Sequence, residues 1–275
     1  MNDGMLATAA EFRDAYGDVL GDIDLLTGEI TANEWDLPTG CPGWSVRDQV
    51  AHVVDLESIL IGRRRVEHDV AGERPYIRNP PGHYMEIGVD SRRHRPVEDV
   101  VAELRDVVAQ RLRNLDAIGD DELDNEVTGF FGPSKLRNQL TIRVFDLWAH
   151  DQDIRRALGR PGDLDGLAAS HSRELLVRGA ARRIQELVAP PAGTGVLVDI
   201  TGPGGAARGM VFDGERGRGV AEPPAQPAVT MRLQLPTLTV LACGRDGGED
   251  ARERVELAGD VELGRRMLAD IASTP

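Results

Sequence analysis

The sequence predicts a two-domain α+β protein, in which a bundle of four long helices precedes a small α+β domain. Apolar residues recur with a period near 3.6 in four long segments of the first 160 residues. After the Pro- and Gly-rich stretch 189–195, short apolar runs separated by turn residues indicate strands instead. We therefore expect the bundle over 1–160, a connecting helix and linker over 161–190, and the small domain over 191–275.

The first half of the bundle is predicted from apolar spacing and from one helix-start signal. Apolar residues predict a first helix over 5–28, and a loop of turn formers follows over 35–44. Ser45 is a strong N-cap, and Asp48 three residues later resembles a capping box. The second helix is expected to run from Val46 to about Asp69.

The second half of the bundle follows a long connection. Residues 71–95 are predicted to be irregular, with a break at Pro80-Pro81-Gly82, and long connections in compact domains are often functional. A third helix is expected over 96–116, and a fourth from near Ser134 to a stop at Gly159. Four amphipathic helices with such connections are typical of bundles that build metal sites from facing helices.

The C-terminal elements are shorter. Gly202-Pro203-Gly204-Gly205 lacks the lysine and the hydroxyl residue of a phosphate loop, so a hairpin turn is expected there. The predicted helices cover 164–188, 236–243 and the region from 260, and the predicted strands cover 196–201, 208–213, 228–233 and about 254–258.

Composition excludes several classes of protein. The formal net charge of −14 argues against binding the phosphate backbone of nucleic acids. No run approaches the roughly 18 apolar residues of a membrane span, and the N-terminus lacks the pattern of a signal peptide. Cys41 and Cys243 do not form a disulfide framework, so a reduced, cytoplasmic location is expected.

Three side chains in two segments point to a metal site. Asp146 and His150 are four residues apart, so they project from one face of the fourth helix. His52 lies within the second helix, beside its apolar stripe. Two imidazoles and one carboxylate are a complete protein ligand set for a divalent metal that keeps one position open for chemistry.

Arg143 shares the helix face of the two predicted ligands on the fourth helix. It is three residues before Asp146 and seven before His150. Its guanidinium could contact Asp146 or bind an anionic substrate, because Arg suits bidentate carboxylate binding. A surface ion pair is an equally open interpretation, and Arg143 is our candidate catalytic residue.

Further side chains are candidates for supporting roles. Asp55, three residues after His52, could accept a hydrogen bond from its outer imidazole nitrogen. Asp153 could orient His150 in the same way, although pairing with Arg156 on the helix surface is slightly favoured.

Two candidate substrate contacts lie in the irregular connection. His83 and Tyr84 would reach the substrate if this connection covered the metal cavity.

The segments CPGWSVRDQVAHV (41–53) and DLWAHDQDIRRALGRPG (146–162) resemble the mycothiol-dependent maleylpyruvate isomerase family. The resemblance implies a DinB-like metal-binding helical bundle, and the stretch from VLVDIT onward resembles the sterol-carrier-like domain that accompanies it. It also implies a zinc site formed by His52, Asp146 and His150. Asp146 stands where the better-known isomerases carry Glu, and two His with one carboxylate also hold Fe(II), Ni(II) or Mn(II).

The resemblance implies a thiol-dependent metalloenzyme with mycothiol as cosubstrate. Such an enzyme would be an isomerase or an S-transferase acting on a small electrophile, with a carboxylate on that substrate expected, and would be a monomer or homodimer. One alternative is a hydrolase that activates water with the metal, for which Glu57 and Asp151 are the candidate bases. Another is a non-catalytic binding or regulatory module whose metal is structural or absent.

Overall fold

The computed structural model describes residues 4–130, 132–269 and 271–273. It divides into two compact units: Leu6–Gly162, and Asp163–Pro275 together with Met1–Met5. The first unit is mainly helical and the second is built on a sheet. The predicted α+β fold class is confirmed.

Four long helices form the core of the first unit. Helices α1 and α2 each pack against both α4 and α5, as in a four-helix bundle. A short helix, α3, packs against α2, and a hairpin of two strands precedes α5. The bounds are α1 (Ala9–Glu29), α2 (Val46–Leu60), α3 (Pro80–Asp90), α4 (Val97–Asp116), β1 (Glu126–Gly129), β2 (Gly132–Lys135) and α5 (Leu136–Leu158).

The second helix ends earlier than predicted. It stops at Leu60, not near Asp69, because Gly62 adopts a left-handed conformation with φ +82°. The amide of Gly62 donates to the carbonyl of Ile59, and that of Arg63 to the carbonyl of Ser58. This is the Schellman pattern, which caps the last carbonyls of a helix.

The prediction that 71–95 is irregular was wrong over Pro80–Asp90, which form helix α3. The Pro80-Pro81-Gly82 sequence begins a helix and does not break one. Asn79 is its N-cap and accepts a hydrogen bond from the amide of Gly82 at 2.8 Å. Proline is favoured in the first helical turn, where its missing N–H has no helical partner.

The second unit contains a five-stranded sheet in the order β5-β4-β3-β6-β7. Strands β3 and β6 run parallel, and the other neighbouring pairs are antiparallel. The predicted hairpin between β3 and β4 is confirmed. The bounds are α6 (Leu167–Leu187), β3 (Gly195–Thr201), β4 (Ala206–Phe212), β5 (Gly217–Val220), β6 (Val229–Gln234), α7 (Leu235–Ala242), α8 (Gly248–Glu253), β7 (Glu256–Gly259) and α9 (Val261–Ala269).

Several short elements were not predicted: β1, β2, β5 and α8. Helix α6, which the sequence set apart as a connecting helix, packs against β4, β5 and α7 within the second unit. None of the helices that the structure describes is long and apolar enough to cross a membrane.

Candidate metal centre

The loop before α2 fixes where that helix begins and therefore where His52 lies. The Ser45 hydroxyl accepts from the amide of Asp48, and the Asp48 carboxylate accepts from the amide of Ser45 at 2.9 Å. This confirms the predicted capping box. Two helical turns later, His52 lies on the inner face of the bundle with only 2% of its surface exposed.

Helix α5 brings the two other predicted ligands to the same point. His150 is buried, and 31% of the Asp146 side chain is exposed. The Asp146 carboxylate lies between the imidazoles, with Oδ2 3.2 Å from Nε2 of His52 and Oδ1 3.5 Å from Nε2 of His150. One potential ligand atom from each of the three residues lies within 4.8 Å of the other two.

The electrostatics of the cluster favour the forms that bind metal. Burial lowers the pKa of His52 to about 4, with the neighbouring His150 adding to the effect and Asp146 opposing it. Burial alone would raise the pKa of Asp146, but Arg143 and the two imidazoles hold it well below its usual range. At neutral pH the cluster therefore offers a neutral His52 and an ionised carboxylate.

The donor set fits a divalent cation. Nδ1 of His52 is buried and has no hydrogen-bond partner among the described residues. The two imidazoles present their other nitrogens to one point, because Nε2 of His52 and Nε2 of His150 both lie within 3.5 Å of the Asp146 carboxylate. Three protein ligands with one carboxylate leave a coordination position for a small molecule.

The orientation of His150 depends on Gln49, which was not predicted as a site residue. Nδ1 of His150 is hydrogen-bonded to Oε1 of Gln49. The Gln49 amide in turn donates to the hydroxyl of Thr39 at 2.7 Å, in the loop before α2. Nε2 of His150 thereby faces the cluster, and Gln49 fills the role proposed for Asp153.

Trp44 forms one wall of the cluster and was not predicted as a site residue. Its ring centroid lies 5.1 Å from that of His52 and 5.8 Å from that of His150. Its indole N–H donates to Glu86 of α3 at 2.8 Å, and Glu86 is 1% exposed. Helix α3 therefore supports the three candidate ligands through Trp44.

Arg143 is buried beside the three candidate ligands, between Asp146 and Glu57. Its side chain is 2% exposed, and it donates to Oδ2 of Asp146 and, at 2.6 Å, to Oε1 of Glu57. Of the two predicted contacts, it makes the one to Asp146. Because Glu57 and Asp146 both bind this guanidinium in a buried position, it is better placed to orient Asp146 than to bind a substrate.

The supporting residues predicted from the sequence have other partners. The Asp55 carboxylate does not hold His52: it pairs with Arg65 at 2.6 Å and Arg92 at 3.1 Å. It faces α3, because the backbone of Gly88 lies directly against it.

Asp153 pairs with Arg156, the partner favoured from the sequence, but it is fully buried and does not lie on the helix surface as expected. It accepts from Arg156 at 2.7 Å and lies 3.8 Å from Nδ1 of His150, beyond hydrogen-bond distance.

The remaining candidates lie on α3 or are held in ion pairs. His83 is exposed, and the Tyr84 ring carries the Arg65 guanidinium 3.9 Å from its centroid. Their contact with a substrate stays a prediction. The candidate bases of the hydrolase alternative are both fully buried, Glu57 against Arg143 and Asp151 against Arg155 at 2.7 Å.

The profile of the family described as mycothiol maleylpyruvate isomerase N-terminal domain matches residues 16–155. The chain belongs to this family. The matched segment runs from α1 to α5 and contains the whole metal cluster. The family membership predicted from the two short segments is thereby confirmed.

Two relatives match most of the chain. They are uncharacterised proteins from two strains of Mycobacterium tuberculosis, CDC 1551 and H37Rv, each 27% identical over 237 residues. The match covers 82% of this chain and 86% of each relative.

Two solved structures share the fold of the family member described here. One is the mycothiol-dependent maleylpyruvate isomerase, with a TM-score of 0.58 and 15% identity. The other is a histidine-to-alanine mutant of that enzyme, with a TM-score of 0.57 and 14% identity. Each match covers 91% of this chain and 92% of the other.

Proposed function

We propose that the chain is a thiol-dependent metalloenzyme of the isomerase or S-transferase type. The observation that carries the proposal is the convergence of His52, Asp146 and His150 on one point between two bundle helices. Family membership supplies the thiol, since the family is named for mycothiol. Zinc is the proposed metal.

The chain's own residues would hold and orient the reacting groups. His52, Asp146 and His150 would bind the cation, Gln49 would orient His150, and Arg143 would orient Asp146. A divalent cation held there would lower the pKa of an adjacent thiol, so that a thiolate exists at neutral pH.

Two outcomes follow from the attack of a thiolate on an unsaturated carbonyl compound. The sulfur forms a bond to one alkene carbon, and the displaced electron pair moves onto the carbonyl oxygen. If the sulfur leaves after rotation about the former double bond, the product is the geometric isomer and the thiol is recovered. If the substrate carbon is protonated first, the product is a thioether and the thiol is consumed.

Metal content and thiol binding test the proposal directly. We expect one metal per chain by elemental analysis, and a thiolate-to-cobalt charge-transfer band when the cobalt-loaded protein is titrated with mycothiol. His52→Ala should lower metal affinity by more than the roughly 10- to 100-fold typical of outer contacts. His94→Ala, at an exposed position outside the site, is the matched control.

The same preparation distinguishes the reactions. Incubation with mycothiol and a cis-unsaturated keto acid should give geometric isomerisation without loss of thiol, or a conjugate with loss of one thiol per turnover. Metal-dependent ester or amide hydrolysis without thiol would favour the hydrolase. A protein that binds metal but no thiol would favour the non-catalytic module, and a metal-free protein would contradict both enzymes.

A further inference from the structure

The four bundle helices each contribute one side chain to a buried polar network next to the metal cluster. The four are Tyr16 from α1, Glu57 from α2, Arg111 from α4 and Arg143 from α5. The Tyr16 hydroxyl donates to Glu57 at 2.8 Å, and Arg111 lies 3.2 Å from the same carboxylate. Arg143 binds its other oxygen at 2.6 Å. Glu57 is therefore the centre of the network.

Burial makes this network costly for folding. The Glu57 side chain is 0% exposed, and those of Arg143 and Arg111 are 2% and 7% exposed. Buried ion pairs often contribute no more to stability than well-packed apolar residues of the same volume, because desolvation offsets their attraction. The network is therefore better explained by what it positions than by the stability it provides.

The network ends on a proposed metal ligand. The Arg143 guanidinium donates to Oδ2 of Asp146 with one nitrogen while Glu57 binds its other nitrogens. Glu57 thus fixes the plane of the guanidinium, and the guanidinium fixes one oxygen of Asp146. The short Asp146 side chain, 31% exposed, has no other described side-chain partner outside the metal cluster.

We propose that Glu57 is a positioning residue of the metal site, acting through Arg143 on the orientation of Asp146. The proposal rests on the metal-binding part of the proposed function and is independent of the thiol and of the reaction. Glu57 touches neither metal nor substrate. It sets which carboxylate oxygen is presented to the cation, and so the coordination geometry.

The Glu57→Gln variant, loaded with zinc and separately with cobalt, tests the proposal. Gln keeps the size of the side chain and one acceptor for Tyr16, but it removes the charge that holds Arg143. We expect zinc affinity to fall by about 10- to 100-fold, as for other outer contacts of metal ligands. The visible d–d spectrum of the bound cobalt should also change, because that spectrum reports coordination geometry.

Two further variants separate positioning from folding. Asp55→Asn is the matched control, because Asp55 lies on the same helix, is equally buried and pairs with two arginines without contacting Arg143. If Glu57→Gln folds poorly, the charge-balanced Glu57→Gln/Arg111→Met variant should fold and show the same loss of affinity.

The outcomes are distinguishable. An altered affinity and cobalt spectrum in Glu57→Gln, with Asp55→Asn like the wild type, supports the proposal even if no thiol chemistry is found. Unchanged binding and spectrum in Glu57→Gln, or equal changes in Asp55→Asn, overturn it and leave the proposed function standing. A wild-type protein that binds neither zinc nor cobalt overturns both.

Discussion

Ionisation of the Tyr16 hydroxyl should make the free energy of unfolding fall with pH in the alkaline range. Burial, together with the adjacent Glu57 charge, raises the pKa of Tyr16 to about 12, against the opposing effect of Arg111 and Arg143. The unfolded chain loses this proton near pH 10, whereas the folded protein keeps it to higher pH. The contribution of Tyr16 to stability is therefore complete below pH 10 and is lost as the pH rises toward 12.

Urea unfolding of the wild type and Tyr16→Phe between pH 8 and pH 12 measures this effect. The wild type should lose about 2 kcal/mol more of its free energy of unfolding over the upper part of this range than the variant does. Tyr76, whose pKa is also raised to about 12, is present in both proteins and cancels. Parallel pH profiles would show that Tyr16 ionises equally easily in the folded and unfolded states.

Helical periodicity indicated that the three proposed metal ligands would lie together, as they do in the structure. Asp146 and His150 project together because they are one turn apart, and His52 lies beside the apolar stripe of its own helix. Their supporting contacts could not be predicted in the same way. Gln49 lies 101 residues from His150, and Trp44 lies 42 residues from Glu86, so only the packed bundle brings them together.

Helix ends depend on single residues that sequence patterns leave ambiguous. The apolar pattern continues past Leu60 through Ile61, but the left-handed Gly62 ends α2. Pro80 was interpreted as a break although proline also begins helices, and Asn79 before it decides between the two. Strands β1 and β5 contain only four residues each, too few for a clear alternating pattern.

A glycine-to-alanine substitution should have opposite effects on stability in α3 and in α1, because only the glycine of α3 packs closely against another helix. A Cβ at Gly88 would lie 2.0 Å from Cγ of Asp55, whose carboxylate is held by Arg65 and Arg92. Gly88→Ala must therefore separate the helices or break these ion pairs, and should cost about 1–3 kcal/mol. A Cβ at Gly21 in α1 meets nothing within 4 Å, so Gly21→Ala should add about 0.5–1 kcal/mol through helix propensity.

Equilibrium urea unfolding of the two alanine variants compares these effects within one protein. Opposite signs relative to the wild type are expected. A Gly88→Ala variant as stable as Gly21→Ala would mean that Asp55 can move aside, and the close packing of α2 on α3 would then carry no energetic constraint.

At the scale of the whole molecule, the segment that matches the family and the proposed metal ligands all lie in the first of the two units. The matched segment 16–155 lies within Leu6–Gly162, and so do the three proposed ligands. The net charge and the absence of a long apolar run bound the class of protein, but they could not locate this site. Two short motifs with helical spacing indicated the three residues that we propose as ligands.

Because all three proposed ligands belong to the first unit, a bound metal should stabilise that unit selectively. A cation at 100 times its dissociation constant adds about 2.7 kcal/mol, so amides that exchange by opening of the bundle should slow by about 100-fold. Hydrogen exchange with and without zinc should show this protection in α2 and α5 and little change in β3 and β6 of the second unit. His52→Ala should abolish the difference. Equal protection of both units would contradict independent stabilisation, and protection that persists in His52→Ala would place the metal elsewhere.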